Sequence, residues 1–441
     1  MTLIDLGYAD TEPVTASPRR ARLDRRLFRW VAATAAVLLC LATLTTSVRP
    51  QSPAVRLLWN RPGAGMNLVA VSDHAILVMA GPRNQFLTSY DLVDGRRMWA
   101  HELAEPTDYV DVPPGSGVLL ISTGEQILRG RNSTSSFYTR TTALDAATGA
   151  QRWSSAGTGS IWTSTGAAVL QETDPKGLTT ARLRLVRLTD GSTVWSQETP
   201  GVQQVVPVGA DPAHPDRVAT VDGSGSVWVL RLADGTEAAS GTVDWPPYAP
   251  NLGELTLLAA QGDALYVLRS TLHDAVVTAY SDQTFEKLWR IDEKTDNDSL
   301  FPCGQALCLA RYNEITGYDW VTGRPRWTAA DRTFTTAAPG DLLFTTDRTS
   351  GSQLLDSATG RTVADLQDAT VVGGADEDAV LTLGTSHSAP GRTVLRKVDI
   401  HTGQVSVIGF LETAADLGCQ TRVSLLICTD LAGGLSVRAL G

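Results

Sequence analysis

The 441-residue sequence lacks the residue patterns that mark most enzyme and metal sites. It holds five Cys and six His, and it contains no Cys-x-x-Cys, His-x-x-x-His or Gly-x-Ser-x-Gly pattern. The His residues share no repeated spacing, so neither a metal cluster nor a nucleophile with its base is indicated. Asp222-Gly223-Ser224-Gly225 is typical of a hairpin turn, because no helix pattern follows it to complete a phosphate site. We therefore predict no catalytic, cofactor-binding or metal-binding residues.

Positive charge is also scarce. The formal net charge is −10, and 43% of the residues are hydrophobic, as in an ordinary folded protein. A basic face is required to bind phosphate backbones, so nucleic acid is excluded as an expected partner.

Long hydrophobic runs are absent except for one near the N-terminus. Trp30–Val48 is 19 residues without a charge, and Arg49 follows it. At about 1.5 Å per residue this length is close to the minimum for a membrane-spanning helix. An Arg cluster precedes the run and belongs on the cytoplasmic side. We expect a disordered cytoplasmic segment over 1–28, a single-pass transmembrane helix over 29–49, and everything later outside the cell membrane.

Cleavage of this segment as a signal peptide is the competing interpretation. The leader before the run is long, and no clean Ala-x-Ala pattern follows it. Leu39 precedes Cys40 where a lipoprotein signal has a small residue. An uncleaved anchor is therefore favoured over a signal peptide and over a lipoprotein.

The remaining chain is organised around a repeated turn. In Thr142–Trp153, Asp145, Thr148 and Gly149 stand between two short alternating runs, and Trp153 follows four residues after the Gly. An Asp side chain can accept backbone N–H groups, and Gly adopts the positive φ that closes such a turn. This pattern predicts a β-hairpin.

The turn recurs along the chain. Gly95, Gly191 and Gly323 are each followed four residues later by a Trp, and weaker copies lie at positions 235, 285, 360 and 403. Successive copies are 37 to 54 residues apart, a period that is typical of β-propellers built from four-stranded blades. The predicted turn and docking residues are Asp145, Thr148, Gly149, Trp153, Trp59, Trp99, Trp195, Trp289 and Trp327.

The pattern Ala143-x-Asp145-x-x-Thr148-Gly149-x-x-x-Trp153 resembles the repeat of bacterial quinoprotein-type, or PQQ-like, β-propellers. The resemblance covers roughly Val55 to the C-terminus. It implies an all-β fold in which the repeated Trp residues dock neighbouring blades together. We expect eight blades, with seven to nine allowed, preceded by the one N-terminal transmembrane helix.

Closure of the ring is predicted from the two ends of this region. Val55–Trp59 follows a linker over 50–54, and its pattern is typical of an outer strand whose unit is otherwise missing. At the C-terminal end the sequence predicts three strands of a unit and no fourth strand. Pairing of these ends would complete the last blade and remove a long unpaired edge. The propeller is therefore expected to span 55–441.

The Cys residues outside the hydrophobic run form two close pairs in the sequence. Cys303 and Cys308, like Cys419 and Cys428, lie on adjacent expected strands. Outside the membrane such thiols oxidise, so two disulfides are predicted. Zinc binding is the alternative, but neither pair has a His partner nearby.

The predicted function is a non-catalytic binding or scaffolding module at the cell envelope, holding an envelope protein or a cell-wall glycan. Four aromatic residues outside the repeated Trp position are candidates for ligand contact: Trp162, Trp228, Tyr248 and Trp320. An envelope enzyme of quinoprotein or lyase type is the alternative, although the adjacent Cys pair and calcium ligands of PQQ-dependent dehydrogenases have no counterpart here. A third interpretation makes Met1–Asp24 a cytoplasmic docking peptide.

Overall fold

The computed structural model describes residues 55–441 except for short gaps at 64, 73, 82–83, 104, 106, 108, 114, 130–133, 177–178, 210–213, 247–254, 272–273, 295–298, 312, 339, 348–350, 377, 386–390, 413–417, 423 and 431–432. The segments predicted to be cytoplasmic, transmembrane and linker lie outside the described residues. So does Tyr248. The described residues form strands and turns and contain no helix.

The strands form four-stranded antiparallel units that follow one another along the chain. The first unit consists of β2 (Asn67–Val71), β3 (Ala75–Ala80), β4 (Phe86–Asp91) and β5 (Arg97–Glu102). The second consists of β6 (Val110–Asp111), β7 (Val118–Thr123), β10 (Arg140–Asp145) and β11 (Gln151–Ala156). The third consists of β12 (Thr158–Trp162), β13 (Ala167–Thr173), β14 (Thr180–Arg187) and the first part of β15 (Thr193–Val208). Between β7 and β10 lies a separate hairpin of β8 (Gln126–Arg129) and β9 (Thr134–Phe137).

The middle three units begin with the second part of β15, which makes one seven-stranded sheet of the third and fourth units. The fourth unit consists of β15 with β16 (Arg217–Asp222), β17 (Ser226–Arg231) and β18 (Glu237–Thr242). The fifth consists of β19 (Leu255–Gln261), β20 (Ala264–Ser270), β21 (Asp274–Ser281) and β22 (Lys287–Lys294). The sixth consists of β23 (Ser299–Cys303), β24 (Ala306–Arg311), β25 (Glu314–Tyr318) and β26 (Pro325–Ala330).

The last three units bring the count of described units to nine. The seventh unit consists of β27 (Thr333–Ala338), β28 (Leu342–Thr346), β29 (Ser352–Asp356) and β30 (Thr362–Gln367). The eighth consists of β31 (Thr370–Asp376), β32 (Ala379–Thr385), β33 (Arg392–Asp399) and β34 (Val405–Glu412). The ninth consists of β35 (Cys419–Arg422), β36 (Leu425–Thr429) and β37 (Leu435–Leu440) with β1 (Val55–Arg61). Nine described units are one more than the eight most expected and lie within the seven to nine allowed, because the weaker repeats at Gly235 and Phe285 each close a full unit.

The ninth unit joins the two ends of the described chain. β1 pairs antiparallel with β37, with Val55 opposite Leu440 and Arg61 opposite Leu435. A hydrophobic cluster then links this unit to the first one through Ile427 and Val437 on one side and Ile76 and Val78 on the other. The succession of units is thereby closed, and the edge of β37 is covered.

The hydrophobic core lies between neighbouring units. The second strands of most units are apolar along their whole length, as in Ala75–Ala80, where five consecutive residues are buried. Such strands are covered on both faces, because each unit packs against the unit before and the unit after it. The outer strands alternate, and in β11 only Trp153 is buried.

The repeated turn joins the third and fourth strands of the first eight units in the same way. In the second unit the Gly149 N–H donates to the Asp145 carbonyl at 2.8 Å, and Asp145 Oδ1 accepts the Thr148 N–H at 2.8 Å. The residue at the Gly149 position has φ between 57° and 72° in all eight turns, which suits Gly and makes Phe285 an exception among them.

Six of the nine described units carry the repeated Trp, and in each of them it rests on the turn of the next unit. The Trp99 indole N–H donates to the Ala146 carbonyl at 3.1 Å, and the Trp153 N–H donates to the Leu188 carbonyl at 2.8 Å. A Cβ placed on Gly149 would meet the Trp99 ring at 2.7 Å. The same indole-to-carbonyl bond is made by Trp59, Trp195, Trp289 and Trp327.

The junction between the fourth and fifth units is built differently. Ala239 stands at the Trp position and Phe285 at the Gly position, and the Phe285 ring packs back against Gly241, where an added Cβ would meet it at 2.4 Å. The two departures from the repeat thus compensate each other. A buried Asp282 also pairs with Arg217 across this junction, and the Gln204 amide bonds to the Thr256 carbonyl and the Leu258 N–H.

Candidate functional site

A cavity of about 450 Å³ opens among loops at the edge of the sheets that carries the repeated turns. We call it the mouth cavity. Its walls come from three units, the first, the second and the ninth, so no single repeat contains it. The lining residues are Val71, Ser72, His74, Ala75, Met98, Val112, Pro113, Gly115, Gly117, Asp145, Ala146, Ala147, Arg152 and Arg422.

Two of the charged side chains that line the mouth cavity already form an ion pair within the repeated turn. Arg152 pairs with Asp145 at 2.6 Å. The hydrogen bonds from Arg152 and from Thr148 lower the pKa of Asp145 to about 2, so this carboxylate stays ionised at neutral pH. His74 is exposed at the rim, and Arg422 contributes a second guanidinium from the ninth unit. The cavity therefore combines cationic groups with apolar walls from Met98, Val112 and Pro113.

A second cavity, of about 420 Å³, lies between the third and fourth units, where β15 runs through both. We call it the wedge cavity. Its lining residues are Gln197, Glu198, Thr199, Pro200, Val202, Thr220, Trp228, Leu230, Gly235 and Glu237.

The wedge cavity has an aromatic wall and a polar rim. The Trp228 side chain is half-buried. At the rim, Glu198 pairs with Arg182 at 2.7 Å, and Glu237 accepts the Ser240 hydroxyl at 2.6 Å. The hydroxyl of Thr199 is buried and has no hydrogen-bond partner among the described residues.

The predicted ligand-contact residues are not brought together. Trp228 lines the wedge cavity, whereas Trp162 packs in the cluster between the second and third units. Trp320 lies 4.9 Å from the Tyr266 ring, and its carbonyl accepts the Trp289 indole N–H at 3.1 Å. Trp320 is therefore a packing residue at the turn of the sixth unit.

Polar junctions elsewhere are built into the packing between units. Tyr318 donates to Glu293 at 3.0 Å, and Arg311 lies 3.1 Å from the same carboxylate. Burial raises the pKa of Tyr318 to about 12, so its hydroxyl remains a donor at neutral pH. These contacts join the fifth and sixth units.

Two turn acids were missed in the sequence. Asp91 and Asp319, at the Asp145 position of the first and sixth units, accept backbone N–H groups two and three residues on. Asp190, by contrast, sits at the Thr148 position and accepts the Ser192 N–H. The spacing of four residues before the Gly could have identified Asp91 and Asp319.

Both Cys pairs lie at disulfide distance, as expected. The S–S distances are 2.01 Å for Cys303–Cys308 and 2.07 Å for Cys419–Cys428. Each bond joins the first and second strands of its unit.

Within the described part of the chain, no group of three or more His, Cys, Asp or Glu side chains is placed to hold a metal ion. The same part contains no helix long and apolar enough to cross a membrane.

These units, with their shared turn and indole docking, repeat as the blades of a β-propeller do, and their turns are similar to those of PQQ-like repeats. A family model described as "Outer membrane protein assembly factor BamB" (PQQ_2) matches residues 83–267. No curated protein matches the chain.

Solved structures with a similar fold share little sequence with this chain. A crystal structure of a eukaryotic initiation factor is 12% identical, with a TM-score of 0.52, and the match covers 78% of this chain and 87% of that one. BamB from Moraxella catarrhalis is 14% identical, with a TM-score of 0.43, over 87% of this chain and 99% of that one. At such identities the likeness to the initiation factor concerns the fold alone.

Proposed function

We propose that this chain is a membrane-anchored, extracytoplasmic propeller that binds an envelope protein and acts as a scaffold rather than an enzyme. The mouth cavity is the observation that carries the proposal. It is assembled from loops of three units on a rigid closed framework, and loops on such frameworks commonly carry binding function.

The proposed location has three supports. Two Cys pairs at disulfide distance suit an oxidising compartment outside the cytoplasm. The Arg-rich residues 1–28 and the uncharged run within 29–49 suit a single-pass anchor with the N-terminus inside. The matching family model is described as an assembly factor for outer membrane proteins, which suits a scaffolding role at the envelope.

The mouth cavity suits a segment of a folded protein. Met98 and Pro113 offer apolar contact, while Arg152, Arg422 and His74 offer hydrogen-bond donors at the rim. An acidic or carbonyl-rich loop inserted among them would accept further hydrogen bonds from these side chains and cover the apolar wall.

Site-specific photo-crosslinking of the full chain in intact cells tests the proposal. A photo-reactive amino acid at the exposed His74 position is expected to capture one specific envelope protein after irradiation. The matched control places the same amino acid at Leu288, which is 50% exposed on an outer strand of the fifth unit. Equal capture at both positions, or capture of only abundant proteins, contradicts the proposal.

A further inference from the structure

We propose that the wedge cavity is a second binding site, which takes an uncharged pyranose ring of a glycan stacked on Trp228. This site is separate from the mouth cavity, lies in different units and needs no protein partner.

The aromatic wall supplies the stacking surface. Trp228 is on the third strand of the fourth unit, outside the repeated docking position, and it stays half-buried while it packs against the cluster between the third and fourth units. The apolar face of a sugar ring can pack on an indole, with Leu230 and Val202 closing the base of the cavity. A volume of about 420 Å³ falls within the usual range for small-ligand sites.

The rim supplies hydrogen-bonding groups for sugar hydroxyls. In Glu198 and Glu237, one oxygen accepts the bond from Arg182 or Ser240, and among the described residues the second oxygen of each has no partner. A carboxylate oxygen accepts readily from a neutral hydroxyl. Gln197, whose amide donates to the Gly235 carbonyl at 3.1 Å, keeps its own carbonyl oxygen as a further acceptor.

The charge at the rim favours a neutral ligand. Two carboxylates repel an anionic group, so a phosphate or an acidic peptide does not fit. A cationic side chain would have to compete with Arg182, which already holds Glu198 at 2.7 Å. A sugar hydroxyl can donate to the carboxylate of Glu198 without displacing Arg182.

Thr199 adds a further hydrogen-bonding group to the lining of the wedge cavity. A buried hydroxyl without a partner costs stability, and such groups are rare in folded proteins. Thr199 lines the cavity, and a change of its χ1 rotamer alters the direction in which the hydroxyl can donate. A bound sugar hydroxyl would then supply the missing bond.

Calorimetric titration of the purified full chain with N,N′-diacetylchitobiose and with cellobiose, alongside a glycan array, tests the proposal. Binding of at least one pyranoside is expected, and Trp228→Ala should weaken it about tenfold. Glu237→Gln, a change at the exposed rim, should weaken it without unfolding the protein. Tyr109→Ala, which removes a 60% exposed aromatic ring in another unit, should leave affinity unchanged.

Thr199→Val separates ligand binding from a merely structural role. Removal of the unsatisfied hydroxyl should raise the melting temperature, because the unpaired buried group no longer destabilises the fold. It should also lower sugar affinity, because the hydrogen bond to the sugar is lost. Unchanged affinity in Thr199→Val and Trp228→Ala, binding of no pyranoside, or displacement of the sugar by oligolysine would overturn the proposal. The crosslinking result at His74 has no bearing on these outcomes.

Discussion

Gly149 meets two requirements at once. Its φ of 71° is in the left-handed region, and the Trp99 ring lies where a side chain would begin. The first requirement concerns the turn itself, whereas the second concerns the junction between units. The repeat can therefore lose its Gly only where the preceding Trp is also lost, as happens with Ala239 and Phe285.

Replacement of Gly149 by Ala should cost about 3 kcal/mol or more of unfolding free energy, from backbone strain and from displacement of the Trp99 ring. Gly166 is the matched control, because its φ is 74° and no described atom lies within 4 Å of an added Cβ. Gly166→Ala should cost about 1–2 kcal/mol. Urea denaturation measures both, and equal losses would show that the indole contact contributes nothing.

The Asp145 carboxylate predicts a pH dependence of stability. Its pKa is lowered from 3.8 to about 2, so its contribution is complete above pH 4 and is lost as the pH falls from about 4 towards 2. Asp145→Asn should lower stability by about 1–2 kcal/mol at pH 7, and the difference from the native protein should shrink below pH 4.

Thermal or urea unfolding between pH 7 and pH 2.5 measures this dependence. In an Arg152→Gln background the effect of Asp145→Asn should be smaller, since Arg152 is the main cause of the lowered pKa. A difference that stays constant with pH would contradict the assignment.

At the scale of the strand and its unit, the fourth-to-fifth junction shows how a missing indole is replaced. Arg217 on β16 reaches the fully buried Asp282 in the next turn, and Gln204 on β15 bonds to the backbone of β19 at 2.6 and 2.7 Å. Polar groups here perform the positioning that the Trp-to-carbonyl bond performs elsewhere.

Asp282→Ala should therefore cost about 3 kcal/mol, because the largely buried Arg217 loses its buried partner and keeps only the exposed Asp216 and Asp263. Asp292→Asn is the control, since it breaks the exposed pair with Arg290 and should change stability little. Chemical denaturation compares the two variants. Similar small losses in both would mean that the buried pair is not needed at this junction.

The repeated turn and the all-β units could be predicted because they depend on local residues, namely Asp145, Thr148, Gly149 and the Trp four residues later. The sequence set the number of units only to within seven to nine, because the weak repeats at Gly235 and Phe285 do not by themselves show that each closes a full four-stranded unit. The wedge cavity could not be predicted, since Thr199, Trp228 and Glu237 meet only through the continuous passage of β15 between two units.

At the scale of the whole domain, β1 is the strand that completes the ring. It pairs with β37 along its length, and the Trp59 indole N–H donates to the Leu92 carbonyl of the first unit at 3.2 Å. One strand thus belongs to the ninth unit by backbone pairing and holds the first unit by docking.

Deletion of Val55–Arg61 should lower the melting temperature and promote aggregation, because the edge of β37 becomes unpaired. A synthetic peptide with the sequence Val55–Arg61 should restore the melting temperature by pairing with that edge, whereas a scrambled peptide should not. Differential scanning fluorimetry and size-exclusion chromatography provide the measurements. An unchanged melting temperature after the deletion would contradict the role given to β1.

The pairing of Val55 with Leu440 also sets an order of events during synthesis. Strand β1 leaves the ribosome before the other described strands and finds its partner only when β37 has been made, while the eight units in between can fold as they emerge. A nascent chain therefore carries an unpaired β1 until β37 emerges, and a stop codon anywhere between these two strands yields an open arc instead of a ring.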